Sequence, residues 1–331
     1  MTITVAGSGA WGTALAVSLC THQNTTLLSH DPEKAANMAA TRENPRLAGI
    51  RLPDPLAITG DPACVRGQDM VVIASPSFAI RSVCETLKPF LSEKTVLVCV
   101  TKGIENGTLR RMSQIVEEIT GHTVVSLTGP SHAEEVAKGI PTGCVAACPD
   151  KALAETVQDA FMTSDFRIYT SPDIVGAELG GALKNVIALC AGVVDGMGYG
   201  DNTRAMLMTR GLTEIARLGV AMGAHKDTLA GLSGVGDLIV TCTSMHSRNR
   251  RAGILLGQGR SVEEAMKEVG AVVEGYYAAR SARELARSIG VEMPIIEAAY
   301  RVLYENADAA DVVRGLLTRQ KKAESEDAGW L

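Results

Sequence analysis

With 331 residues the chain is longer than one compact core needs and leaves room for two domains. Hydrophobic residues make up 46% and charged residues 21%, a globular balance that excludes disorder over most of the chain. A net charge of -5 and 4% aromatic residues give neither the field nor the stacking surface for nucleic acid or an acidic membrane.

The chain runs from Met1 straight into an apolar segment, 3–6, so no signal peptide is expected. Further short apolar or β-branched runs at 26–29, 70–74, 96–100, 124–128 and 143–147 read as buried strands. Helical patterns at 12–22, 77–91 and 108–120 lie between several of them. Continuous apolar strands alternating with helices predict an α/β fold, an N-terminal Rossmann-like parallel sheet covered on both faces. Near Ser171-Pro172-Asp173 the pattern becomes helical, with Ser171 or Asp173 as a cap and Pro172 at the helix entry. We expect a nucleotide-binding domain over 1–180 and an all-helical substrate domain over 181–331. The stretch 174–198 is long and apolar, but Glu178, Lys184, Asn185 and Asp195 argue for a buried core helix, not a membrane span. The polar residues from Gln320 to Leu331 are expected to fray.

The eight cysteines lack Cys-x-x-Cys spacing, so they read as reduced thiols suited to the cytoplasm, and no metal site is expected.

Gly7-Ser8-Gly9-Ala10-Trp11-Gly12 follows a strand and opens a helix. Gly7 suits a tight turn, Gly9 a close backbone approach by a pyrophosphate, and Gly12 close helix packing. The helix start offers free N–H groups to the phosphates, which implies NAD or NADP. A plain glycine turn is the alternative. At the end of the second strand, Asp31 after His30 reads equally as a ribose partner or as the N-cap of a helix entered at Pro32. Arg42 and Arg46 leave the choice between NAD and NADP open. Lys102 follows the fourth strand at the crevice end of the sheet, where it meets either the ligands or solvent.

Lys184 lies in a small-residue helix behind Gly180 and Gly181, whose cost in helix propensity implies a close approach. It is either a catalytic ammonium or a lysine snorkelling to the surface. Gly231-Leu232-Ser233-Gly234-Val235-Gly236-Asp237-Leu238 presents Asp237 from a turn or helix start, to orient a lysine or to cap. Ser247-Arg248-Asn249-Arg250-Arg251 carries the donors for a phosphate monoester at a helix start, or forms a solvated basic turn.

Taken in order, these motifs resemble those of the bacterial NAD(P)-dependent glycerol-3-phosphate dehydrogenases. Gly-Pro-Ser-His-Ala-Glu-Glu-Val at 129–136, Leu-Lys-Asn at 183–185 and Val-Val-Glu-Gly at 272–275 add to the resemblance, which spans about 3 to 317. The resemblance implies hydride transfer between NAD(P)H and dihydroxyacetone phosphate, giving sn-glycerol 3-phosphate for phospholipid synthesis, in a cytoplasmic homodimer. It implies Lys184 as the catalytic lysine, with Lys102 and Asp237 beside it. Gly129, Ser131, Ser247, Arg248 and Asn249 match substrate positions. Ala10, Trp11, His30, Lys102, Ala133, Arg248, Val272 and Glu274 match cofactor positions. Ser75, Gly143 and His132 depart from the family's usual residues, and His132 is near enough to the site to shift affinity. A related dehydrogenase of the 6-phosphogluconate or hydroxyacyl-CoA type is one rival. The other is a non-catalytic sensor of the cofactor, which leaves Lys184 without a purpose.

Overall fold

The computed structural model describes residues 1–321 and 323–324. The tail expected to fray from 320 therefore lies mostly outside the described residues. Strands β1 (Thr2–Ala6), β2 (Asn24–Leu28), β3 (Ala57–Thr59), β4 (Met70–Ile73), β5 (Val96–Cys99), β6 (Val124–Thr128), β7 (Thr142–Ala147) and β8 (Phe166–Ser171) form one sheet. Its order is β3-β2-β1-β4-β5-β6-β7-β8. Among the strands lie α1 (Ala10–Leu19), α2 (Pro32–Thr41), α3 (Ile80–Leu87), α4 (Met112–Thr120), α5 (Ala133–Val136) and α6 (Lys151–Phe161).

The first six strands are parallel, with Val5 of β1 in register with Leu27 and Val72. β7 departs from the expected parallel sheet. It runs antiparallel to β6, Leu127 lying opposite Ala146. A parallel return needs a crossover of a dozen or more residues, usually a helix. α5, at ~1.5 Å per residue, spans only about one turn, so the chain doubles back. β8 then pairs in parallel with β7.

Alternation along the strands serves two cores. Ile3, Val5, Met70, Val72, Val98 and Val125 pack with residues of α1 and α6. Ala6, Val71, Ile73, Leu97, Cys99 and Val124 pack with α3 and α4 on the other face. Both faces are dry, which is why these strands read as unbroken apolar runs.

After β8, Asp173 accepts a hydrogen bond from the Gly176 N–H (2.8 Å) and caps α7 (Ile174–Gly196). Residue 180 falls inside this helix. There follow α8 (Asp201–Ala221), α9 (Lys226–Ala230), a π-helical turn (Leu232–Gly236), α10 (Asp237–Thr243), α11 (Arg248–Gly257), α12 (Val262–Val269), α13 (Glu274–Ser288), α14 (Pro294–Tyr304) and α15 (Ala309–Leu317). α7 is long and apolar enough to cross a membrane, but it is sheathed by the other helices and buried nearly end to end. A helix apolar all round belongs in a core. Gly192 and Gly196 of α7 lie against the α11 backbone, where added Cβ atoms would collide with the Arg250 and Ile254 carbonyl oxygens. Buried Glu178 is satisfied by Arg111 and by Ser113, whose N–H (2.8 Å) and hydroxyl (2.7 Å) both donate to it. All eight cysteines are free, and burial pushes the Cys84, Cys144, Cys190 and Cys242 thiols up to about 12, so they act as packing residues.

Candidate active site

The glycine turn after β1 has three distinct environments. Gly7 has φ +132°, and a Cβ there would strike the Ala74 carbonyl oxygen. A Cβ on Gly12 would strike the Gly7 carbonyl oxygen, so α1 sits hard against the turn. A Cβ on Gly9 would have nothing within 4 Å. That open face lies at the start of α1, whose first turn no side chain caps. Uncapped N–H groups around an open glycine form a cradle that fits a pyrophosphate. Ala10 and Trp11 share a small apolar cluster with Ala133 of α5, so these three expected cofactor positions are brought together. His30 is exposed beyond β2, and Val272 is half-buried in the segment before α13. Asp31 serves as the N-cap that one of its two readings expects. Its Oδ1 accepts from the Glu33 (3.0 Å) and Lys34 (3.1 Å) N–H groups and caps α2, and its Oδ2 pairs with Lys34 at 3.1 Å. Those backbone hydrogen bonds hold its pKa below the ordinary carboxylate value.

On the other side of the crevice the lysine helix and the glycine-rich turn meet. A Cβ on Gly180 would strike the Ser233 carbonyl oxygen, and one on Gly181 would lie 2.8 Å from the Thr128 hydroxyl. The glycines thus let α7 press against the π turn and the end of β6. Lys184 is buried rather than snorkelling. Its Nζ donates to Asp237 Oδ1 and, at 2.7 Å, to the Thr241 hydroxyl. Lys102 Nζ reaches the other carboxylate oxygen, Asp237 Oδ2, at 2.6 Å, and the Gly129 carbonyl at 3.2 Å. One buried carboxylate therefore bridges two ammonium groups. Burial lowers the Lys184 pKa to about 8; Asp237 opposes that shift and Lys102 adds to it. The Ser131 hydroxyl donates to the Gly129 carbonyl at 3.0 Å, which draws both expected substrate positions to Lys102.

Thr241 was not singled out from the sequence, and Asn185 was named there without a role in the site. Thr241 lies four residues beyond Asp237 on α10, one turn along the same face, and its hydroxyl also donates to the Asp237 carbonyl at 2.6 Å. That spacing was a usable signal. Asn185 accepts at 2.9 Å from the Asn249 amide, whose Oδ1 in turn accepts from the Gly275 N–H at 2.8 Å.

The Ser247 to Arg251 run divides in the structure. Ser247 caps α11, accepting from the Arg250 N–H at 3.2 Å. Arg250 turns inward to Asp195 at 2.8 Å, and Arg251 donates to the Val269 carbonyl at 3.3 Å. Arg248 is an exposed residue that makes no hydrogen bond or ion pair among the described residues, yet desolvation of its guanidinium lowers its pKa while the Glu274 charge opposes that shift. Glu274, half-buried at the start of α13, binds Ser77, and burial raises its pKa. His132 lies 5.6 Å from His246, ring centre to ring centre, and burial together with nearby Lys184 lowers its pKa. Its Nε2 is buried with no hydrogen-bond partner among the described residues.

A buried lysine whose pKa is lowered to about 8 can protonate a carbonyl oxygen as a hydride arrives at its carbon. A family model described as NAD-dependent glycerol-3-phosphate dehydrogenase N-terminus matches residues 2–154, and its C-terminus counterpart matches 173–314. A Moorella thermoacetica protein named glycerol-3-phosphate dehydrogenase (NAD(P)+) is 53% identical to this chain over 99% of both. A Fusobacterium nucleatum protein of the same name is 52% identical, over 97% of this chain and 98% of its own. The crystal structure of glycerol-3-phosphate dehydrogenase from Coxiella burnetii matches with a TM-score of 0.92 and 36% identity, over 96% of this chain and 99% of its own. A PanE/ApbA family ketopantoate reductase from Ralstonia eutropha, at 15% identity and a TM-score of 0.63 over 95% of this chain and all of its own, shares the fold alone.

Proposed function

Because the chain belongs to the NAD-dependent glycerol-3-phosphate dehydrogenase family, we propose that Lys184 is the proton donor and acceptor of that family's reaction here. The protein is an NAD(P)-dependent oxidoreductase that interconverts dihydroxyacetone phosphate and sn-glycerol 3-phosphate. Its substrate is a small molecule. The observation that carries the role of Lys184 is the burial of its ammonium on the Asp237 carboxylate shared with Lys102.

The open face at Gly9 and the uncapped start of α1 would hold the cofactor's pyrophosphate, with Ala10, Trp11 and Ala133 alongside. When bound, the reduced nicotinamide supplies the hydride that goes to C2 of the ketone. Lys184 gives its proton to the C2 oxygen as charge develops there. A pKa of about 8 keeps most of it protonated at pH 7 while leaving the proton easy to give. In the reverse direction the neutral amine takes the proton from the C2 hydroxyl. Asp237 holds the amine in place, with the Thr241 hydroxyl as its second anchor. Lys102, Gly129 and Ser131 line the substrate's polar end nearest Lys184. Arg248, with its guanidinium unpaired, supplies the fork for the phosphate, beside Ser247 and Asn249. Glu274, Val272, His30 and Asp31 complete the cofactor's surroundings.

We further propose that the chain works as two units, 1–180 and 181–331, in a cytoplasmic homodimer, and that its product feeds phospholipid synthesis. The first test is absorbance at the nicotinamide band while dihydroxyacetone phosphate is added, once with NADH and once with NADPH. Loss of absorbance is expected, and the two rates give the cofactor preference. No loss with either, in folded protein, would move the assignment to another phosphorylated ketone.

A further inference from the structure

Two hydrogen bonds from Ser77, a residue with no role in the proposed chemistry, cross the crevice to Glu274. Ser77 follows β4 at the crevice end of the sheet and is buried. Its hydroxyl donates to Glu274 Oε2 at 2.6 Å, and its N–H donates to Glu274 Oε1 at 3.3 Å. Both oxygens of one carboxylate on α13 are thus held by one residue of the sheet half, 197 positions earlier in the chain.

Each end of this contact leads through neighbouring residues to one of the two lysines. On the sheet side Gly103, next to Lys102, lies against Ser77; a Cβ on Gly103 would come within 2.6 Å of Ser77 Cβ. On the helical side Gly275, next to Glu274, donates its N–H to Asn249 Oδ1 at 2.8 Å. Gly275 also rests on Asn185, where a Cβ would come within 2.5 Å of the carbonyl oxygen. The Asn249 amide donates to Asn185 at 2.9 Å, and Asn185 follows Lys184. Asp237 already joins Lys184 to Lys102. The contacts therefore close into a ring that passes through both halves and both lysines.

We propose that Ser77 and Glu274 form a clasp across the crevice, and that Ser77 is a positioning residue for the reaction. It acts through Glu274, Gly275, Asn249 and Asn185 to set the spacing between the helix carrying Lys184 and the sheet half that holds the cofactor. The clasp rests on the hydride-transfer reading for its purpose, but not for its existence. A carboxylate that receives a charge-assisted hydroxyl bond and a backbone N–H from the opposite half resists opening by more than either bond alone. Hydride transfer is sensitive to sub-ångström placement, so a loosened clasp lowers turnover while leaving the phosphate grip, carried by Arg248, in place.

The test compares Ser77→Ala and Ser77→Thr with the unmutated protein by two readouts. The first is amide hydrogen exchange over 246–256 and 272–280 in cofactor-free protein. Ser77→Ala should speed exchange in both segments by about tenfold, the scale of one lost bond to a charged group. The second is steady-state kinetics. Ser77→Ala should lower kcat by about tenfold, with the KM for dihydroxyacetone phosphate changed less than about twofold. Ser77→Thr, which keeps the hydroxyl, should restore most of both. Unchanged exchange in folded Ser77→Ala overturns the clasp. Faster exchange with unchanged kcat overturns the positioning role. Faster exchange in a protein whose unmutated form does not reduce dihydroxyacetone phosphate leaves the clasp standing and removes the substrate assignment instead.

Discussion

Two helix starts of this molecule are proposed to meet anions, and they are made differently. α1 begins behind Gly9 with no side chain capping it and open space above the glycine. α11 begins behind Ser247, whose own hydroxyl takes the Arg250 N–H, and Asn249 in its first turn is already bound to Asn185 and Gly275. The nucleotide half thus presents bare backbone, which suits any phosphate that fits the curve. The helical half presents side chains whose polar atoms are mostly committed to one another, so its spare capacity sits on two groups, the Arg248 fork and the Lys184 proton, with Lys102 reaching Asp237 from the sheet half. Adding atoms should therefore damage the first half, and removing them the second.

The largest expected effect is in the helical half. Lys184→Ala should lower turnover by about 10² or more, the usual scale of a lost acid–base group, while cofactor affinity stays within about twofold. Steady-state rates and cofactor titration separate the two quantities, and near-normal turnover in a folded variant would remove Lys184 from the chemistry. The pH dependence has a definite sign. Ketone reduction needs the protonated amine, so its kcat/KM should fall as pH rises through about 8. Alcohol oxidation needs the neutral amine and should rise through the same point. Profiles flat from pH 6.5 to 9.5, a window set on either side of that value, would contradict the assignment.

The next effect belongs to the glycines. Gly12→Ala drives a Cβ into the Gly7 carbonyl, an overpacking against rigid backbone that costs about 1–3 kcal/mol and also misplaces the start of α1. Stability and cofactor affinity should fall together. Gly9→Ala meets nothing in the protein, so melting should be unchanged while cofactor affinity drops. If both variants lose stability alike, Gly9 is not an open cradle and the contrast between the halves fails. Arg248→Ala comes third. It should raise the KM for dihydroxyacetone phosphate by about tenfold with little change in kcat, as expected for a lost charged contact made equally in ground and transition states.

The sequence made the backbone half more legible than the side-chain half, for a physical reason. A turn with φ +132° or a helix packed on a carbonyl admits almost only glycine, so the constraint appears as a residue type. Lys184 and Asp237 were also legible, because a charge inside an apolar helix and an acid after close-set glycines are each anomalous. Ser77 and Asn185 were not, since serine and asparagine are common and their partners are distant in the chain. Among the strands, the interior ones stood out as apolar runs. β8 did not, because as an edge strand it buries Phe166 and Ile168 but exposes Arg167, Tyr169 and Thr170. β3 has only three residues. The reversal at β7 depends on the length of α5, and nothing in the apolar pattern of β7 itself encodes its direction.

Asp31 tests where backbone architecture ends and ligand recognition begins. Its carboxylate caps α2 and is available for the cap whether or not a cofactor is present. Asn caps as well as Asp, so Asp31→Asn should leave melting nearly unchanged, whereas Asp31→Ala should cost about 1 kcal/mol. The carboxylate's charge matters only if it faces the ribose. In that case Asp31→Asn should shift the ratio of NADH to NADPH rates toward NADPH, because the repulsion of a 2′-phosphate is removed while the cap stays. A ratio unchanged in Asp31→Asn, with Asp31→Ala destabilised as expected, would assign the residue to the helix cap alone. Cofactor choice would then have to come from elsewhere around the crevice, such as exposed His30 beside it.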